Sequence, residues 1–262
     1  MDHVLFAFLL TLFAGLSTGI GSLISLMTKK TDMRFLATSL GFSAGVMIYI
    51  SMIEIFPQAE VMLQAQWGEK VGKWATAAAF FGGVFLIAII DKLVPEAENP
   101  HELNWEDPQK PPTDHLMRMG MFTALSVGIH NFPEGMATFM SALRDPELGI
   151  PIAIAIAIHN IPEGIAIAVP VYYATGSKHR AFYYSLLSGI SEPVGALLAY
   201  FLLMPFLSDG LFGIVFASVA GIMVYISLDE LLPSAQRYGE HHYSIYGLIA
   251  GMMVMAVSLL LL

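Results

Sequence analysis

With 262 residues, of which 56% are hydrophobic and only 13% charged, and a mean hydropathy of +0.68, the chain lacks the polar surface that a soluble domain of this size needs. The absence of cysteine excludes disulfides, thiolate metal sites and thiol nucleophiles, and a net charge of -9 spread over loops and intramembrane acids excludes a basic footprint for nucleic acid. The expected fold class is an all-α polytopic membrane protein in contact with lipid.

Met1-Asp2-His3-Val4 carries no positive n-region, so the first apolar run is expected to be a retained span. At about 20 apolar residues per span, the chain divides into eight: Val4–Met27, Phe35–Phe56, Trp74–Leu93, Leu116–Met140, Ile150–Tyr173, Ala181–Met204, Leu211–Leu232 and Tyr246–Leu262. Loops after odd spans hold Lys29, Lys30, Arg34, Lys92, Lys110, Arg118, Lys178, Arg180 and Arg237; loops after even spans hold only Lys70, Lys73 and Arg144. The positive-inside rule then puts both termini outside the cytoplasm. The one long connection, residues 95–115, is rich in Pro and acids and contains His101 and His115. It reads as a solvated cytoplasmic linker, with weak metal holding as the other reading; His179 and the pair His241-His242 in later loops are similar.

Ala44–Ala59 (AGVMIYISMIEIFPQA) and Ala220–Ala235 (AGIMVYISLDELLPSA) coincide at nine of sixteen positions, where about two would be expected by chance. They lie in the second and seventh spans, which run in opposite directions. A fainter echo matches Gly15, Ser17 and Gly21 of the first span to Gly189, Ser191 and Gly195 of the sixth. The organisation is therefore 3+2+3: three spans over residues 4–94, a central pair over 116–173, and an inverted set of three over 181–262. Inverted repeats around a midplane site are a transporter architecture.

The central pair carries one hexapeptide twice, His130-Asn131-Phe132-Pro133-Glu134-Gly135 and His159-Asn160-Ile161-Pro162-Glu163-Gly164. A carboxylate at the bilayer centre costs about 3 kcal/mol on insertion scales, so six polar side chains at that depth need a shared partner. On a helix, His at i and Glu at i+4 share a face about 5–6 Å apart while Asn at i+1 points roughly 100° away, an arrangement that suits a metal ion. Each proline frees the carbonyl four residues back, at Ile129 and Ile158, and each glycine admits a close helix. Two buried polar networks that merely pin helices together are the other reading. Glu192, beside Pro193 in the sixth span, is a third carboxylate for the same centre, or else an interfacial acid. Met47 and its repeat mate Met223 offer a thioether or serve as packing. Glu54, and Asp229 with Glu230, lie near opposite ends of the second and seventh spans, where an entrance and an exit are expected, or simple interfacial acids.

The paired HNFPEG and HNIPEG motifs, the preceding His-bearing loop, and the stretches SLGFSAGVM and ELGIPIAIAIAIHNIPEG resemble the ZIP (Zrt-, Irt-like) family of divalent-metal transporters over essentially the whole chain. The resemblance implies uptake of zinc, with iron, manganese, cobalt and cadmium as further candidates, across the cytoplasmic (inner) membrane of a bacterium by alternating access. It implies a binuclear centre whose metal ligands are His130, Asn131 and Glu134 with His159, Asn160 and Glu163, joined by Glu192. Met47 falls where some members place a ligand, and Asp229 and Glu230 fall on the inner exit path. Where some bacterial members have Gln-Asp in the fifth span this chain has His159-Asn160, which makes the site less acidic and bears on whether two metals bind at once. A homodimer is among the expected assemblies, and no enzyme activity or resident cofactor is expected. The rivals are an intramembrane zinc hydrolase, which wants three fixed ligands and an open position, and a metal-selective channel.

Overall fold

Long apolar runs have only one way to satisfy their backbone inside lipid without a closed barrel, and the chain takes it: every amide can be paired within its own helix. The computed structural model describes residues 2–27, 33–93, 112–203, 208–238 and 241–261, with α-helices α1 (Asp2–Met27), α2 (Met33–Ile50), α3 (Phe56–Trp67), α4 (Glu69–Leu93), α5 (Pro112–Arg144), α6 (Pro146–Thr175), α7 (Lys178–Leu198), α8 (Asp209–Ile226), α9 (Leu232–Tyr238) and α10 (His241–Leu261). Wide π-turns at Ser51–Ile55 and Ser227–Leu231 fuse α2 to α3 and α8 to α9, and a third, Ala199–Leu203, prolongs α7, so the described residues form eight passes. Most of the 95–115 linker, with His101, lies outside the described residues, as do Lys29 and Lys30; His115 already belongs to α5.

Several expected boundaries shift by about one helical turn, and two move further. The second and seventh spans do not stop at Phe56 and Leu232 but continue to Trp67 and Tyr238. Pro57 and Pro233 lack an amide hydrogen, and just before each the backbone widens instead of breaking: Phe56 N–H bonds to Ser51 O and Leu232 N–H to Ser227 O, five residues back. Among the described residues, seven of the passes are long and apolar enough to cross a membrane by composition, and α5 is not among them. At 33 residues α5 would reach about 50 Å, but Asp114, His115 and Arg118 near its start and His130, Asn131 and Glu134 further on dilute it.

The helices pack as two bodies. A four-helix bundle of α1, α5, α6 and α7 contains both hexapeptides, and a scaffold contains α2 to α4 and α8 to α10; the bodies meet mainly where α2 lies on α6 and α5 on α8. Helix α6 is the innermost element, with 83% of the apolar window inside Gly149–Val169 buried against 22% for the apolar windows of α4 and α10.

Glycines set the helix spacing, and their contacts reveal the inverted repeat more fully than residue identity does. A Cβ at Gly45 would lie 2.0 Å from Leu248 O and one at Gly251 2.1 Å from Phe42 O; their counterparts are Gly221 at 2.0 Å from Phe80 O and Gly83 at 2.0 Å from Ser218 O. The pairing of α2 with α10 thus reproduces that of α8 with α4, which establishes a third-to-eighth repeat that residue identity alone had not revealed. At the centre, Gly15 and Gly189 face one another, with 2.3 Å and 2.1 Å between each added Cβ and the other's carbonyl oxygen. Backbones this close gain the dispersion contacts that stand in for hydrophobic burial between helices in lipid.

This packing separates two superficially similar substitutions. Gly45→Ala would drive a methyl into the α10 backbone and is expected to lower stability by about 1–3 kcal/mol, whereas Gly82→Ala meets nothing within 4 Å and should leave stability unchanged or slightly raised. Thermal unfolding of the purified protein in detergent checks the contrast; equal melting temperatures for the two variants would contradict the packing.

Candidate metal centre

The two hexapeptides occupy the middles of α5 and α6, and neither proline breaks its helix. The helices are joined at Asp145, whose side chain accepts from Glu147 N at 2.9 Å and caps α6, while Gly176 at φ 64° ends it with its N–H on Tyr172 O at 2.7 Å. The glycines of the motifs do what their position suggests. A Cβ at Gly135 would meet Glu192 O at 2.1 Å, and one at Gly164 would meet Thr18 O at 1.9 Å, so α7 and α1 close on the motif helices at equivalent places.

Six of the expected ligands are buried in the bundle: Asn131, Glu134, His159, Asn160, Glu163 and Glu192 are at most 1% exposed. His159 Nε2 lies 3.3 Å from both carboxylate oxygens of Glu134, which links the two motifs directly across α5 and α6. Asn160 Nδ2 donates to Ala14 O at 2.9 Å and to Glu192 Oε1, tying α6 to α1 and α7. Glu192 is fully buried, and Glu134 and Glu163 lie within electrostatic reach of it. Three carboxylates from three helices therefore share one water-poor region, whose cost only a cation or protons can offset.

Several donor atoms in this region have no hydrogen-bond partner among the described residues: both amide atoms of Asn131, Asn160 Oδ1 and Glu192 Oε2. An amide oxygen or carboxylate left in that condition inside a packed bundle is costly for folding and useful for ligation. His130 occupies its expected place in α5, but its side chain is outside what is described. Among the described residues, no three His, Asp or Glu side chains form a ready-made metal cage.

The remaining candidates divide by location. Met47 is fully buried on α2, one turn beyond Ser43, whose hydroxyl donates to His159 O at 3.4 Å. Ser43 is a contact that the sequence reading did not single out, because a serine in an apolar helix carries no signal until the opposing backbone is known. Glu54 and Asp229 with Glu230 are half-buried in the two matched π-turns, away from the hexapeptides along the chain, and Glu54 accepts from Gln58 Nε2. The exposed His179 and His242 take no part in the buried cluster.

The profile of a family described as ZIP Zinc transporter matches residues 91–259. Proteins named zinc transporter ZupT are similar over nearly their full length. The one from Streptococcus mutans is 62% identical, covering 99% of this chain and 98% of its own. That from Chlorobium chlorochromatii is 62% identical with the same coverage, and that from Oceanobacillus iheyensis is 60% identical over 100% of both.

The two asparagines should differ in what they hold. Asn160→Leu leaves Glu192 Oε1 without its donor, and Ala14 O with Ser17 Oγ but not the amide, and is expected to destabilise the metal-free protein by about 1–3 kcal/mol. Asn131→Leu removes an amide that bonds nothing among the described residues, and should cost little or nothing. Thermal unfolding in chelator is the measurement, and a larger loss for Asn131→Leu would reverse the assignment.

Proposed function

The chain belongs to the ZIP zinc transporter family, and from that premise we propose that it carries zinc into the cell through the buried centre on α5, α6 and α7. The observation that carries this reading is the convergence of Glu134, Glu163 and Glu192 with His159 and two asparagines in the interior of a membrane bundle. The family is one of transporters rather than enzymes, which sets aside the intramembrane hydrolase.

In this reading His130, Asn131, Glu134, His159, Asn160, Glu163 and Glu192 bind the ion, with Met47 as a thioether at the edge. Imidazole, amide and carboxylate suit borderline divalent ions, so Fe²⁺, Mn²⁺, Co²⁺ and Cd²⁺ are proposed as further substrates beside Zn²⁺. The imidazoles must be neutral to bind, and the glutamates exchange protons as metal comes and goes, so flux depends on pH. Alternating access follows if the α1, α5, α6, α7 bundle moves as a unit against the scaffold, along the α2–α6 and α5–α8 contacts, which join the two bodies. Asp229 and Glu230 serve the inner exit and Glu54 the outer side. The setting is the cytoplasmic membrane of a bacterium, with both termini outside and a homodimer as the assembly.

Zinc flux into proteoliposomes, followed with an internal indicator, tests the function. Glu134→Ala or Glu163→Ala is expected to abolish flux while insertion and folding persist, because burying a carboxylate is itself a cost. Poorly folded protein with normal specific flux in the surviving fraction would make these glutamates structural.

A shared centre also demands coupling between the motifs. In a double-mutant cycle on zinc binding, His130→Ala and His159→Ala should interact by at least about 0.5 kcal/mol. Strictly additive losses would point to a relay of separate sites.

A further inference from the structure

The inverted repeat pairs residues of α1 with those of α7 at a constant offset, Gly15 with Gly189 and Gly21 with Gly195, and it therefore pairs Thr18 with Glu192. The contacts bear this out atom by atom. A Cβ at Gly15 would lie 3.3 Å from Glu192 Cβ, and a Cβ at Gly189 would lie 3.0 Å from Thr18 Cβ. Likewise Gly135 approaches Glu192 O where Gly164 approaches Thr18 O, and Gly195 approaches Phe132 O where Gly21 approaches Ile161 O. Ser17 and Ser191 complete the pattern by donating to the carbonyls of Ala14 and Ser188, each at 2.6 Å. Under the same operation the counterpart of Asn160, which bridges Glu192 and Ala14 O, is Asn131, and the counterparts of its two partners are Thr18 and Ser188.

Thr18 is also unusual in its own bonding. Thr11, Thr38, Thr76, Thr138 and Thr175 each return their hydroxyl to the carbonyl four residues back, the usual way for a helix to satisfy a threonine. For Thr18 that carbonyl is Ala14 O, already taken by Ser17 Oγ and Asn160 Nδ2. Thr18 Oγ1 is fully buried and has no partner among the described residues, and the same holds for both amide atoms of Asn131 and for the Oγ of the 4% exposed Ser188. Three buried polar groups with unused oxygens are thus the ones that the repeat matches to Glu192, Asn160 and Ala14.

We propose that Thr18 is a metal-binding and specificity-determining residue: its hydroxyl and the Asn131 amide oxygen form a neutral, oxygen-donor half of the metal cavity opposite Glu192. This rests on the reading of the buried cluster as the transport centre. Hydroxyl and amide oxygens are hard, uncharged ligands, of the kind that a threonine offers to divalent ions in nucleotide-binding loops. The centre is then asymmetric, with a carboxylate on one side and a hydroxyl on the other, and α1 helps to set which ions it prefers.

The test is equilibrium binding of Zn²⁺ and Mn²⁺ to the full chain in nanodiscs, for wild type, Thr18→Val, Thr18→Ser and Glu134→Ala. Thr18→Val keeps the shape and removes the oxygen, and is expected to weaken binding about tenfold, more for the harder Mn²⁺ than for Zn²⁺. Thr18→Ser should recover most of the loss, and the melting temperature of metal-free Thr18→Val should match wild type, since no hydrogen bond is removed. Wild-type affinities in Thr18→Val would overturn the proposal while a loss in Glu134→Ala still upheld the centre. Weaker binding that tracks a lowered melting temperature, without rescue by serine, would make Thr18 a packing residue and overturn it equally. No change in either Thr18→Val or Glu134→Ala would remove the centre itself.

Discussion

A carboxylate held away from water, in a medium of low dielectric constant, must find a proton or a cation. Glu134, Glu163 and Glu192 are brought to that condition by three different helices, and most of the architecture can be understood as the means of holding them there. His159 and Asn160 reach across helix boundaries to two of them. Some of the surrounding donors remain unspent on the protein itself, as the proposed binding of an ion requires.

Holding such a cluster requires helices that come close without demanding large apolar side chains. Glycine contacts do this throughout, and they occur in symmetric sets: α2 on α10 as α8 on α4, α1 on α7 at the crossing of Gly15 and Gly189. Close backbone packing makes each body stiff, while the junction between bodies depends on fewer elements. The proposed movement of the bundle against the scaffold relies on this division, because a site that deformed during passage would lose its ligand geometry.

The repeated HNxPEG motifs stood out in the sequence because polar residues are expensive in an apolar helix, and the eight passes followed from dividing the chain into runs of about 20 residues, although the fourth is diluted by its own motif. The kinship of the second and seventh spans was legible in shared residues. That of the third and eighth was not, since only small residues at matched contact points persist there, and a glycine's role depends on which carbonyl faces it. The continuation of α2 through Pro57 to Trp67 was hidden for a related reason: proline marks a missing hydrogen bond, but whether the helix ends or widens is decided by the next amide's reach to Ser51 O. Ser43 and Thr18 drew no attention in the sequence because hydroxyls in helices are ordinarily absorbed by their own backbone.

The single-residue connection at Asp145 between α5 and α6 has a consequence for how the protein is made. Helix α5 is too polar to count as a span by composition, whereas α6 surrounds its own motif with an alternating run of isoleucine and alanine, IPIAIAIAI. The translocon partitions segments by their summed transfer free energy, with isoleucine contributing about −0.3 to −0.6 kcal/mol per residue at the helix centre. A surplus in α6 can therefore offset the deficit in α5 only if the two leave the translocon together. The tight turn makes them one helical hairpin, which brings the motif helices into the bilayer side by side, so that His159 meets Glu134 before either is stranded in lipid.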